Sequence, residues 1–236
     1  MSARMRGMRH HSNRQLTATI FSSLRSDRLV KVYVGDSTEP FLIQQTLLKN
    51  TSDYFTRALC SDSFDEGALG VLRFREDNIK TWQILLYWIF NRDLPEEVTK
   101  PSPGSIMDCW ILGDNYDVPS FQDDAMFTLI QLINDSEYLG TENVRSGIER
   151  TTQRSALRRL LVEELVLGVY YHRDVGIEEL DEWEGAGFLS DFVKAKDWYN
   201  VNNDELISRF ETNGVGNVRW KVFMVGAGAR RLAEQA

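Results

Sequence analysis

Between Val30 and Gln131, short apolar segments follow one another with turn residues between them, and this order constrains the fold more than any other property of the chain. Val30, Val32 and Val34 alternate with Lys31 and Tyr33, the period of a strand with one covered face. Gly35 to Pro40 supplies turn chemistry and Phe41 to Ile43 returns as a second strand, so the first unit reads as a β-hairpin. From Gln45 to Leu59 the period becomes helical, with Leu47, Leu48, Phe55, Ala58 and Leu59 apolar. Thr51 or Ser52 offers an internal N-cap there, which predicts two short helices in place of one. Gly67 and Gly70 punctuate the chain before a short strand, Val71 to Phe74.

Three helices are expected next. In the first, Ile79 to Phe90 with Asp77 or Asn78 as cap, Ile79, Trp82, Leu85, Leu86 and Ile89 share one face while Ile84 and Trp88 cover much of the other. This pattern predicts a helix buried nearly all round, its aromatic residues Trp82, Tyr87, Trp88 and Phe90 belonging to the core. Pro95, Pro101, Pro103 and Gly104 mark an exposed connection, after which Ile106, Cys109, Trp110, Gly113 and Tyr116 form the inner face of the second. Gly113 has no side chain and suits a close helix approach. Pro119 suits the first turn of the third, which should reach about Ile133. Polar residues dominate from Asn134 to Gln153, so a linker is expected over residues 136–154 between a first domain, 16–135, and a mainly helical region, 155–236. In that region Leu157, Leu160, Leu161, Leu165, Val166 and Val169 form an apolar stripe with Arg158, Arg159, Glu163 and Glu164 outside it. Phe188 to Trp198 and Asp204 to Phe210 read as further helices, and Val218 to Val225 alternates as a terminal strand would.

Charge narrows the function classes. The chain carries a formal net charge of −8, but residues 1–28 hold six Arg against one Asp, a net +5 that leaves −13 for the rest. A body this acidic repels phosphate backbones, so nucleic acid is not an expected partner. Residues 1–15 read as a disordered basic tail, since ordering so polar a segment has no apolar reward; its Arg, Ser and Met content is only faintly that of a mitochondrial presequence. Leu16, Ile20, Phe21 and Leu24 recur at helical spacing, which predicts a short amphipathic helix over residues 16–26. No apolar run approaches the roughly 18 residues that span a bilayer, so no membrane partner is expected. Cys60 and Cys109 are too few for a disulfide framework or a four-ligand zinc site and point to a reducing compartment or to two incidental thiols buried in the core.

Constellations for chemistry are weak. His10 and His11 lie in the tail, leaving His172, which reads as a surface pair with Asp174, and no Gly-x-Ser-x-Gly elbow places a nucleophile. The acidic run Glu178, Glu179, Asp181, Glu182 and Glu184 lacks the alternating ligands of a calcium loop and reads as a solvated face. Gly226-Ala227-Gly228 lacks the third glycine of a dinucleotide turn. No catalytic residue, cofactor or metal ligand is assigned. An enzyme hidden in the C-terminal third, built on these carboxylates and His172, is the competing class.

Together the ordered segments resemble a BTB/POZ domain of the kind common in filamentous fungi. The resemblance covers about Arg28 to Ile133 and rests on Val32-Tyr33-Val34-Gly35 with Pro40-Phe41; on Leu47-Leu48 with Ser52-Asp53-Tyr54-Phe55; on Trp88-Ile89-Phe90; and on Leu112-Gly113-Asp114-Asn115-Tyr116-Asp117-Val118-Pro119, which is similar to the family's Ala-Asp-x-Tyr-x-Val run. Where the family usually has His, an acid and an Asp opening the first strand, this chain has Gln44, Thr46 and Val30-Lys31, so the charged pocket of some members is not carried over. The fold implied is α+β, a BTB/POZ-like helical cluster with a short sheet at one side, followed by the mainly α-helical C-terminal region. The function implied is non-enzymatic: homo- or hetero-oligomerisation with itself or another BTB protein, and recruitment of a further protein, in the cytoplasm or nucleus.

Many members dimerise through an N-terminal helix, and Leu16, Ile20, Phe21 and Leu24 stand at that place, although the same stripe would also be covered by folding back on its own domain. Cullin-binding members carry a hydrophobic residue, any residue, then Glu after the second helix. Phe64-Asp65-Glu66 stands there, an aromatic anchor beside an orienting carboxylate, unless Phe64 tucks into its own core. A substrate adaptor for a cullin ubiquitin ligase is therefore one expectation, and a scaffold or transcription-associated oligomerisation protein without cullin binding is the other.

Overall fold

A computed structural model describes residues 26–60, 69–96, 102–136, 139–172, 175–183, 187–201 and 219–226. The architecture is mixed α+β, with one three-stranded sheet and eight α-helices among the described residues, and the C-terminal region is mostly helical. The chain divides into two compact units, one up to Ile79 and one from Lys80.

In the first unit, strand β1 (Leu29–Val34) pairs antiparallel with β2 (Phe41–Gln44), Val30 opposite Ile43 and Val32 opposite Phe41. Gly35 turns the chain between them at φ +58°, a left-handed conformation that costs glycine little. Two short helices follow, α1 (Gln45–Thr51) and α2 (Asp53–Cys60), and the break falls at Ser52 as the sequence predicts. Ser52 Oγ accepts the Tyr54 N–H at 2.9 Å, while the Ser52 N–H still bonds back to the Leu48 carbonyl at 3.3 Å. Helix α1 takes its cap from a distance, for Asp27 Oδ2 accepts the Thr46 N–H at 3.0 Å. Strand β3 (Val71–Phe74) then joins the free side of β1 in parallel, giving the order β2-β1-β3. A parallel partner needs a long crossover, and the helices of this unit lie on that crossover in sequence. Val30, Val32, Val34, Ile43, Leu72 and Phe74 are buried on one sheet face, with Leu48, Phe55 and Leu59 from the helices also buried.

The second unit contains α3 (Ile79–Asn91), α4 (Pro103–Asn115), α5 (Pro119–Ser136), α6 (Thr141–Glu149), α7 (Ala156–Leu167) and α8 (Leu189–Val201). A π turn, Gly168–His172, and a 3₁₀ turn, Ile177–Trp183, lie between α7 and α8. Gly113 brings α4 against α5: a Cβ there would lie 2.6 Å from Gln122 Cγ. Between these helices Asp117 takes φ +53° before Pro119 opens α5.

Four expectations are corrected. The polar stretch expected as a linker contains α6, because Val144, Gly147 and Ile148, spaced i, i+3, i+4, form a narrow stripe that is buried. Gly147 permits the contact, since a Cβ there would lie 2.4 Å from Leu161 Cδ1 on α7 and 2.9 Å from Met107 Sδ on α4. The expected terminal strand is a 3₁₀ turn, Arg219–Phe223, in which Trp220 and Phe223, three apart, are both buried. Helix α3 is not buried all round: Trp82, Leu85, Leu86, Trp88 and Ile89 are, but Ile79, Tyr87 and Phe90 are exposed. Arg158, Glu163 and Glu164, expected outside the α7 stripe, are buried, and only Arg159 faces out. The expected helix Asp204 to Phe210 lies outside the described residues.

Candidate functional site

The residues singled out from the sequence for partner binding, Leu16, Ile20, Phe21 and Leu24 on one side and Phe64, Asp65 and Glu66 on the other, lie outside the described residues. Asp174 and the side chain of His172 do as well. The acidic turn Ile177–Trp183 has Glu178 and Glu179 exposed, with the Glu179 carboxylate accepting the Gly176 N–H at 3.1 Å. Cys60, expected in the core, is exposed at the end of α2. Cys109 is buried, and its thiol is pushed up to about 12, first by loss of water and then by the neighbouring Asp108 carboxylate.

Large apolar side chains remain at the surface in both units. In the sheet, the register places Leu42 opposite Lys31 on the face away from the valines, and Leu29 belongs to the same face; both leucines are more than half exposed. Beside them Arg73 stacks over the Tyr33 ring at 4.1 Å, as the parallel register of Tyr33 with Arg73 allows. On α3, Gln83, Tyr87 and Phe90 follow one another at helical spacing on the exposed side, and Phe90 is 63% exposed. The neighbouring Trp88 is held inward because its indole N–H donates to Asp124 Oδ2 at 2.6 Å.

The charged side chains that sequence reasoning set outside α7 form a buried junction. Arg158 donates from Nε to Asp191 on α8 at 3.0 Å and from a terminal nitrogen to the Ile148 carbonyl at 2.6 Å, joining α6, α7 and α8 through one guanidinium. Further along the same pair of helices, Tyr199 donates to Glu163 Oε2 at 3.1 Å. A cleft of about 420 Å³ opens over this seam, lined by Arg154, Arg158, Arg159, Val162, Glu163, Asp191, Lys194 and Trp198 among others.

Another buried carboxylate, Asp123 on α5, accepts the backbone N–H groups of Val225 at 2.6 Å and Gly226 at 3.1 Å and so anchors the 3₁₀ turn. Trp220 of that turn packs edge-on against Phe127, with ring centres 5.2 Å apart. Arg159 donates to the Val222 carbonyl and lies over the Phe223 ring. Sequence reasoning missed Arg158, Glu163 and Asp123 as buried groups; no local signal separates them from charged neighbours such as the exposed Arg159.

Among the described residues, no three His, Cys, Asp or Glu side chains are grouped to hold a metal ion, and no helix is long and apolar enough to cross a membrane. No protein-family model matches the chain, and no curated protein matches it.

Proposed function

We propose that the chain is a non-enzymatic protein-interaction module of BTB/POZ type, which assembles with a second copy of itself or with another such chain and works in the cytoplasm or nucleus. The observation that carries this reading is the order of the elements along the chain: a hairpin, two short helices split at Ser52, a third strand returning in parallel, and then helices joined through the tight Gly113 contact. The hairpin, the split at Ser52 and the Gly113 contact each coincide with a motif on which the family resemblance rests. The large side chains left in water agree with a binding role, for Leu29, Leu42, Tyr87 and Phe90 are all at least 45% exposed, and aromatic residues are enriched where proteins meet. Light scattering coupled to size exclusion at tens of micromolar tests the assembly. A mass of two or more chains is expected, and a strict monomer would remove self-assembly from the reading.

A sharper reading adds a cullin-type ubiquitin-ligase scaffold as partner, on the strength of Phe64-Asp65-Glu66. Phe64→Ala should then weaken scaffold binding by about 2 kcal/mol or more, the loss expected of a hot-spot anchor. Wild-type protein that does not bind a cullin ends this sharper reading and leaves the scaffold or transcription-associated one.

A further inference from the structure

Helices α7 and α8 run in the same direction. Arg158 meets Asp191 close to the N-terminus of each, and Glu163 meets Tyr199 further along both. Parallel neighbours bring two positive helix ends together, an arrangement that costs electrostatic energy unless negative charge is placed there. Asp191, in the first turn of α8, supplies one such charge, but Arg158 is bonded to it. The cleft over this seam still collects four cations, Arg154, Arg158, Arg159 and Lys194, against two carboxylates, Glu163 and Asp191. That balance stands out in a chain of net charge −8.

The six charges differ in what they can still do. Arg158 is bonded to Asp191 and Ile148, Arg159 to Val222, and Glu163 accepts from Tyr199. The side chains of Arg154 and Lys194 have no hydrogen bond or ion pair among the described residues, and both residues are exposed. Between the charges lie Val162, Ala195 and the half-buried Trp198. Among the described residues the cleft therefore offers two cations without a bonded partner, beside a helix N-terminus and an apolar wall with one indole ring. Its volume, about 420 Å³, falls in the range of roughly 300–1,000 Å³ typical of small-molecule pockets.

We infer that the cleft between α7 and α8 binds a small organic anion, a carboxylate or phosphate carried on a flat apolar body. The anionic group pairs with Arg154 and Lys194, and the flat body lies against Trp198 and Val162. A longer acidic peptide fits less well, because the carboxylates of Glu163 and Asp191 face the same cleft and would repel its successive charges. This inference is independent of the oligomerisation reading, since the lining residues belong to a region outside the BTB-like motifs.

The test is calorimetric titration of the full chain with 2-naphthoate and 2-naphthyl phosphate, with neutral 2-naphthol, inorganic phosphate and a glutamate-rich peptide carrying one Phe as further arms. Saturable binding of at least one naphthyl anion is expected, tighter than either 2-naphthol or inorganic phosphate. Arg154→Gln/Lys194→Gln should weaken it by about tenfold or more, the loss of about 1.4 kcal/mol or more. Because both residues are exposed and stand among other cations, the thermal midpoint of the double variant should not fall below that of the wild type, which separates lost binding from lost folding. No saturable binding of either naphthyl anion, equal affinity for 2-naphthol, or an affinity unchanged in the double variant would overturn the assignment. Tighter binding of the peptide than of the naphthyl anions would also overturn it, in favour of an acidic protein segment.

Discussion

Arg158→Met removes the guanidinium that joins three helices while keeping most of the buried stem. Its bonds to Ile148 and Asp191 go with it, and so does a longer one to the Thr151 carbonyl at 3.4 Å, which contributes least. The Ile148 carbonyl, in a residue with no exposed surface, loses the charged donor at 2.6 Å and keeps Thr151 Oγ1 at 3.2 Å; losing a hydrogen bond from a charged group costs about 1.5–3 kcal/mol. The Asp191 carboxylate loses its partner at 3.0 Å, but its side chain is 32% exposed, so water recovers much of the loss and about 1 kcal/mol is the appropriate share. Methionine retains the packing of the aliphatic stem, so the space left open is confined to the place of the guanidinium. The expected destabilisation is about 3 kcal/mol, a fall in thermal midpoint of about 6–12 °C at the 2–4 °C per kcal/mol typical of a chain this long. Urea denaturation followed by far-ultraviolet circular dichroism measures it, and a double-mutant cycle with Asp191→Asn should assign about 1 kcal/mol to the pair itself. A loss below about 1 kcal/mol for Arg158→Met would mean that the junction is not the anchor of α6 against α7 and α8.

Asp123→Ala should free the C-terminal turn more than it harms the fold: hydrogen exchange at Val225 and Gly226 should accelerate at least about tenfold, because two N–H groups lose one charged acceptor. Gly147→Ala should cost about 1–3 kcal/mol in denaturant titrations, since Leu161 and Met107, which the new methyl group meets at 2.4 and 2.9 Å, are themselves buried. A disulfide reagent at pH 8 should label Cys60 in the folded protein and reach Cys109 only on unfolding, as mass mapping would register. The same buried thiol contributes to pH dependence: Cys109 keeps its proton in the folded chain up to about 12. The unfolded chain loses that proton above its ordinary value, so the contribution is complete below pH 9 and falls by at most about 1.4 kcal/mol per pH unit between pH 9 and 12. Denaturation midpoints in Cys109→Ala should lose that part of the alkaline slope.

The first unit was legible in the sequence because its signals are local. Val30, Val32 and Val34 alternate strictly, Gly35 suits the left-handed turn, and Ser52 sits where a helix must stop and restart. Gly113 was legible for the same reason, as a gap in an otherwise apolar helical face. The errors concern what lies opposite. A polar stretch such as residues 141–149 looks like a linker until Gly147 is seen to admit Leu161, and that complement comes from a helix fourteen residues away. Val218, Trp220 and Val222 alternate as a strand would, whereas Trp220 and Phe223, three apart, suit a 3₁₀ turn, and the choice follows from the Asp123 carboxylate, which holds Val225 from 102 residues earlier.

The candidate site was less legible, because burial of charge is not a property of one segment. Arg158 and Glu163 flank the apolar stripe of α7 just as solvent-facing residues would, and periodicity alone assigns them outward. What reverses the assignment is a second helix running in the same direction that offers Asp191 to one and Tyr199 to the other in the same order. Each of these bonds removes a charge or lone pair from competition for the cleft. The consequence is asymmetric: the paired groups fix the geometry of α7 and α8, and the cations left outside the pairing, Arg154 and Lys194, become the ones able to meet a ligand. Stability and recognition at this seam are therefore separable by mutation. Changing Arg158 should lower the denaturation midpoint whatever binds, whereas changing Arg154 and Lys194 should lower affinity without lowering that midpoint.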